Sequence, residues 1–303
     1  MPARIAAACL FLAGCGGVSE FAADTTAGFL ADAAPAVRAY FDYESAGQAA
    51  ANGIIQLEGL HRVSPHNERI SLSLAQAYVA YAFGWVMDGQ EQAELVGDYE
   101  RADREQFRAY LMYSRAKQLT IGIMRERDPA IERVLIGDPD RLRGYLREHY
   151  LDREDDIELI FWCAVAWGSE ITNAPTLDSL IELPAAKAFA HHAVSLDEGY
   201  ENGGALALLG GFDASYPEPL GGNWQRGRRY FERALALSKR RNQLHHINFA
   251  RTYALNSQDR ALFVGLMREI IESGDQGDDV RLSNKVARRR AERYLSHLDA
   301  WFE

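Results

Sequence analysis

The sequence predicts an all-α protein, an irregular stack of antiparallel helix pairs resembling a tetratricopeptide-type α–α superhelix. Three observations predict it. Alternating Val/Ile/Thr stretches bounded by turns hardly occur, so strand signals are scarce. Ala, Leu, Arg and Glu dominate, and apolar residues recur at helical spacing. A small–aromatic–small pattern with gaps of four and three residues returns along the chain, as in Ala109/Tyr113/Ala116 and Gly227/Phe231/Ala234.

The first element is "IAAACLFLAGCGG", residues 5–17, preceded by Arg4. A transmembrane helix takes about 20 apolar residues, and this run is too short. A basic start, a short apolar stretch and small residues at its end describe a secretory signal peptide. Leu12-Ala13-Gly14-Cys15 resembles a bacterial lipobox. That resemblance implies cleavage before Cys15 and fatty acylation of Cys15, for instance with palmitate. The alternative is an ordinary signal peptide that happens to contain a cysteine. Gly16 stands where an aspartate would imply retention at the inner membrane, so the same sorting rule favours the outer membrane. The reading divides the chain into a leader, 1–14, a lipidated Cys15 with a flexible tether, 15–28, and one helical domain, 29–303.

Helices are then expected near 46–60, 64–89, 99–124, 138–149, 157–173, 179–197, 201–215, 223–239, 243–256, 258–273 and 280–302. In the second of these, Ser64 reads as N-cap with Pro65 in the first turn. Ile70, Leu74, Tyr78, Tyr81 and Trp85 follow as one stripe. Short polar turns join most neighbours, so they should pack as antiparallel pairs. "HHAVSLDEGYENGGA", 191–205, has the composition of a joint between two repeats, and "YPEPLGG", 216–222, reads as an insertion within a pair.

Composition bounds the function. The formal charge of −10 becomes −11 once Arg4 leaves with the leader, which argues against nucleic acid. Of three cysteines, Cys9 departs and Cys15 carries lipid, so Cys163 has no disulfide partner and reads as a buried small hydrophobe. Beyond the leader no stretch reads as a bilayer span, so contact with the membrane is expected through the lipid anchor only.

The long block from Gly203 to Leu295 resembles the TatT (T-component) lipoproteins of TRAP transporters. Gly203, Gly210, Gly221, Gly222, Phe231, Ala234, Ala250 and Phe263 carry the match, with Arg281, Leu282, Asn284, Ala287, Arg289 and Ala291. Tyr81, Tyr113, Arg115, Ala116, Trp162, Trp167 and Gly168 fit the same family in the N-terminal half, while Gly227 departs from its usual alanine. The resemblance implies a lipid-anchored periplasmic protein that forms a homo-oligomer, a trimer, and partners the substrate-binding protein of a TRAP uptake system. It also implies an apolar cleft that passes a hydrophobic or organic-acid ligand.

Catalytic signatures are missing: no P-loop, metalloprotease helix or nucleophile elbow occurs. The chain reads as no enzyme, with no cofactor. His191-His192 and His245-His246 invite a metal, but adjacent helical residues point about 100° apart, so exposed or helix-terminal histidines are the better reading. Tyr78, Tyr81, Trp85, Trp162 and Trp167 are the cleft candidates. Plain core packing is the competing reading for all five. Arg115, Asn284 and Arg289 are structural or partner candidates, Asn284 as a group that satisfies the backbone of a neighbouring turn. The alternative function is a repeat-type scaffold lipoprotein for envelope assembly, without ligand.

Overall fold

In the computed structural model, residues 6–302 are described apart from 155 and 175; the Cys15 side chain lies outside the described residues. The expected all-α class holds: no strand occurs among the described residues. The helices are α1 (Ala6–Arg38), α2 (Tyr43–Val63), α3 (Glu68–Tyr81), α4 (Met87–Leu95), α5 (Tyr99–Arg127), α6 (Pro139–His149) and α7 (Ile157–Asn173). They continue as α8 (Leu183–Leu196), α9 (Gly204–Ser215), α10 (Trp224–Leu237), α11 (Leu244–Asn248), α12 (Arg260–Glu272) and α13 (Arg281–Ser296). Several helices start at a capping side chain. Asp42, Asn67, Asp98, Asn223 and Asp259 cap α2, α3, α5, α10 and α12 by accepting a backbone N–H three residues on.

Three expectations are corrected. Residues 15–28 are helical, within α1, where a flexible tether was expected. Local propensity is weak there, with three glycines and two threonines, and packing supplies the order: Ala23 and Ala27 bury the helix against Ile70 and Leu60. Ser64 does not start α3; its N–H bonds Leu60 O at 2.9 Å and ends α2, while Asn67 Oδ1 caps α3 by accepting from Ile70 N at 3.0 Å. Finally, Glu68–Leu95 is long and apolar enough, by length and composition, to cross a bilayer. Here it is a core element, since α3 packs against α2, α5 and α7 and its C-terminal part carries charged groups in buried ion pairs.

Neighbours stack in order: α2 on α3, α3 on α5, α5 on α7, α7 on α8, α8 on α9 and α9 on α10. Gly210 allows the last of these, because an added Cβ would sit 2.9 Å from the Phe231 ring. The turn after α9 needs glycine for two reasons: Gly221 has φ +80°, and a Cβ on Gly222 would overlap Tyr216 O. Gly227, Phe231 and Ala234, like Ala109, Tyr113 and Ala116, are all buried. The apolar core runs through the stack in three linked clusters, with Trp162 and Val165 shared by the first two and Val194 and Tyr230 by the next. The final helix, α13, packs on α12 and α11 and returns to α1 and α2.

Two helices are interrupted by π-turns. Ala82–Val86 joins α3 to α4, and Phe249–Ala254 extends α11. A π-turn alters the i→i−4 ladder and frees backbone groups for other partners. At the first one, Phe83 O accepts a bond from Arg290 Nη2 at 2.6 Å, from 207 residues away in sequence.

Candidate functional site

α3 lies between α2 and α5, which do not pack extensively on each other. Side chains from all three meet above it. Tyr78 and Tyr81 of α3 and Trp85 of the π-turn that follows it are half-buried. Tyr43 from α2 stacks on Trp85 at 5.2 Å, and Tyr81 stacks on it at 5.9 Å. Trp85 Nε1 donates to Tyr43 O at 3.1 Å, so the indole is oriented as well as packed. Gly47 leaves the room it needs: a Cβ there would lie 2.4 Å from Nε1.

One turn away, Arg115 of α5 reaches across α3 to Glu58 of α2. Its Nε and Nη2 donate to the two carboxylate oxygens, both at 2.9 Å, and Tyr78 OH donates to the same carboxylate at 2.9 Å. Those bonds, from Arg115 first, hold the Glu58 carboxyl below its ordinary range. An open recess of about 470 Å³ begins here, lined by Glu58, Gly59, His61, Arg62, Pro65 and Arg115. Burial pushes the His61 imidazole down, so it is neutral near pH 7, with Ser71 Oγ 3.2 Å from its Nδ1. None of the three aromatics lines this recess; Tyr78 links their half-buried surface to its polar mouth through Glu58.

Of the five aromatic candidates, three share this surface and two do not. Trp162 sits half-buried on α7 between two core clusters, edge-on to Phe161 at 5.2 Å. Trp167 is a core residue, 1% exposed, with Nε1 donating to Glu182 Oε2 at 2.6 Å. Lys117 lies 5.0 Å above its ring and pairs with Glu170 and Glu182. Helical periodicity marks the face of a helix and does not show which neighbour covers it, so α3 and α7 looked alike. A second void, between residues 134–142 and 181–185, holds about 10 Å³ and touches none of the five.

Arg289 and Asn284 lie elsewhere. Asn284 binds the turn before α11, accepting from Gln243 N and donating to Arg241 O, each at 2.9 Å. Arg289 belongs to a charged seam that sequence reasoning missed. From α4, Asp88 and Glu91 face α13. Arg293 donates to Asp88 at 2.6 Å and to Glu91 at 2.5 Å, Tyr294 OH to Glu91 at 2.7 Å, and Arg289 Nε to Asp88 at 3.0 Å. Arg290, 2% exposed, lies within 4 Å of both acids and 4.2 Å above the Phe83 ring. Burial raises the Glu91 carboxyl, but the charges of Arg290, Arg251 and Arg293 outweigh it and hold the group below its ordinary range. Tyr43 couples the seam to the aromatic surface: its OH donates to Gly84 O at 2.8 Å, and Arg289 covers its ring at 4.9 Å. The available signal was Asp88 and Glu91, three apart just after an apolar run and hence on one helix face.

Of the expected exposed or helix-terminal histidines, His191 is exposed and His245 and His246 sit at the start of the short α11, but burial goes further than expected. His192, His245 and His246 are all buried. His192 Nε2 meets Tyr150 O at 2.7 Å and His245 Nε2 meets Asn202 O at 2.9 Å. Burial lowers His245 to about 4. His246 Nε2 lies 3.1 Å from Glu269. Cys163 is fully buried, and burial pushes its thiol up to about 12. No group of three metal-ligating side chains occurs among the described residues.

Comparison with known proteins adds to this geometry. A family model described as TRAP transporter T-component matches residues 41–302. An uncharacterized protein of Treponema pallidum (strain Nichols) is 23% identical over 250 residues, covering 81% of this chain and 76% of the relative.

Proposed function

We propose, from the premise that this chain belongs to the TRAP transporter T-component family, that it docks a substrate-binding protein and handles its ligand. Membership makes it an accessory of TRAP transport, and our reading of it as a non-enzymatic component is supported by the family's being one of transporter accessories. The finer reading is a periplasmic lipoprotein, trimeric, anchored at the outer membrane through Cys15. Its repeat-like surface holds the TRAP substrate-binding protein, and the aromatic surface over α3, with the recess beside it, receives or passes a small hydrophobic or organic-acid ligand. The observation that carries the ligand half is the partly exposed Tyr78–Tyr81–Trp85 surface, which Tyr78 links to the Glu58–Arg115 mouth. Ligand sites combine an apolar lining with a few oriented polar groups, and this surface has both.

A second reading, a scaffold with no ligand, is favoured by one observation. The two recesses described above are an open surface hollow and a void of about 10 Å³, and neither joins Trp85 to Trp162. The two readings separate in one experiment. Native mass spectrometry of the purified chain with the substrate-binding protein would count bound copies and retained ligand together. We expect Trp85→Ala to lower ligand retention at least about fivefold while docking is kept. Equal loss of both would reduce Trp85 to core packing, and docking with no ligand in the parent protein would leave the scaffold.

A further inference from the structure

The outward face of α1 is built the wrong way round for a helix facing water. Its small residues and one carboxylate face the body. Ala23 and Ala27 are 4% and 3% exposed, and Asp24 accepts from Ser64 Oγ at 2.8 Å and Asn67 Nδ2 at 2.6 Å. Its large apolar side chains face away: Phe21 is 72% and Phe29 71% exposed. Eight residues apart, these rings lie within about 80° of each other around the axis, with Thr25 between them and Ala36 on the same side. Thr25 and Thr26 turn their hydroxyls onto Phe21 O and Ala22 O, both at 2.8 Å, so neither hydroxyl needs water. Asp32 is the one charged residue on this side.

We infer that this face of α1 lies on a bilayer surface, with Phe21 and Phe29 in the boundary between headgroups and acyl chains. The inference rests on the lipid-anchor reading of Cys15. The helix continues directly from that residue, and six residues of helix rise put Phe21 only about 9 Å beyond it. A fatty chain at Cys15 therefore brings this face to the membrane without a spacer. Interfacial helices bury an apolar face by about 5–10 Å. They commonly add basic residues, and this face has none and carries Asp32, so the contact should be apolar and favour neutral over anionic lipid. α1 is in turn held to the body by Asp24, by Arg38 on Glu201 at 3.2 Å and by Arg281 Nη1 on Ala39 O at 3.1 Å. Contact with lipid along α1 would thus fix the tilt of the whole stack over the membrane.

The test separates this face from the anchor. The mature chain carrying Cys15→Ser is floated with neutral phosphatidylcholine vesicles, with and without Phe21→Ser/Phe29→Ser. Measurable flotation is expected from the first, unchanged between low and high salt, and at least about tenfold less from the second. Both rings are exposed, so the two proteins should melt alike. Absence of flotation by the Cys15→Ser chain, or flotation untouched by the double substitution, overturns the inference. A smaller oligomer in the double variant without vesicles also overturns it, because a second copy would then be what covers the face. Mass spectrometry of the native N-terminal peptide tests acylation separately, and its failure would remove the anchor without changing the flotation result.

Discussion

The molecule uses one chemical pairing, arginine with carboxylate, in two settings. At the seam, Arg290 and Arg293 meet Asp88 and Glu91 with almost no exposure, joining helices 200 residues apart. At the mouth of the recess, Arg115 meets Glu58 with about a third of each side chain in solvent. The bond lengths are similar. The difference lies in what replaces a lost partner. At the mouth water does so, and an incoming ligand or partner can as well. At the seam nothing does, because a buried charge without its partner has no other source of solvation. Burial therefore assigns the seam to holding the fold closed and leaves the mouth free to exchange partners.

Substitutions can break that contrast. The largest effect is expected from Asp88→Ala, which strips Arg289 and Arg293 of an acceptor. Breaking a buried pair costs about 3–5 kcal/mol. For a chain of this size that corresponds to a fall in Tm of about 10 °C, read by calorimetry. A fall of about 1 °C would show that the seam behaves like a surface pair. Next comes the acid limb. The folded-state pKa of Glu91 is depressed, so its contribution is present above its ordinary range and is lost as pH falls through the folded value. Melting curves below pH 4.5 should therefore drop steeply in the parent protein and be flatter in Glu91→Gln, already destabilised at neutral pH. Parallel curves would contradict this.

A smaller effect tests the joint between the two regions. Gly47→Ala places a methyl into the Trp85 indole, and overpacking of this kind costs about 1–3 kcal/mol. Tryptophan emission should shift as Trp85 leaves Tyr43, while the seam stays intact. The smallest effect is expected at the mouth. Glu58→Gln should change stability by less than about 1 kcal/mol, as exposed pairs do, yet alter ligand retention in the native mass spectra. A large melting shift there would erase the distinction between the two settings.

Much of the fold was legible before any coordinates. The α7 boundaries, 157–173, follow from the apolar run and its flanking turns, and α2, α5 and α6 were placed within a few residues. The α1 helix was missed because glycines and threonines around 16–28 read as a tether, and only its packing on Ile70 shows why it is ordered. Arg115 and Asn284 were singled out from the family resemblance, and Tyr78, Tyr81 and Trp85 from one stripe. Glu58, Tyr43 and Gly47 carried no signal of their own, since each matters only through a partner on another helix.

Helix formation is a local matter, set by side chains three and four residues apart and by caps, so the residues alone determined the class and the helix-by-helix pattern. Which faces meet depends on how successive helices stack, and small rotations accumulate along the chain. Only the tertiary structure decided that Trp167 is sealed in the core while Trp85 is left half-buried between Tyr43 and Tyr81. It alone brought α13 back to the first helices, and a contact across 200 residues has no period that a sequence can display.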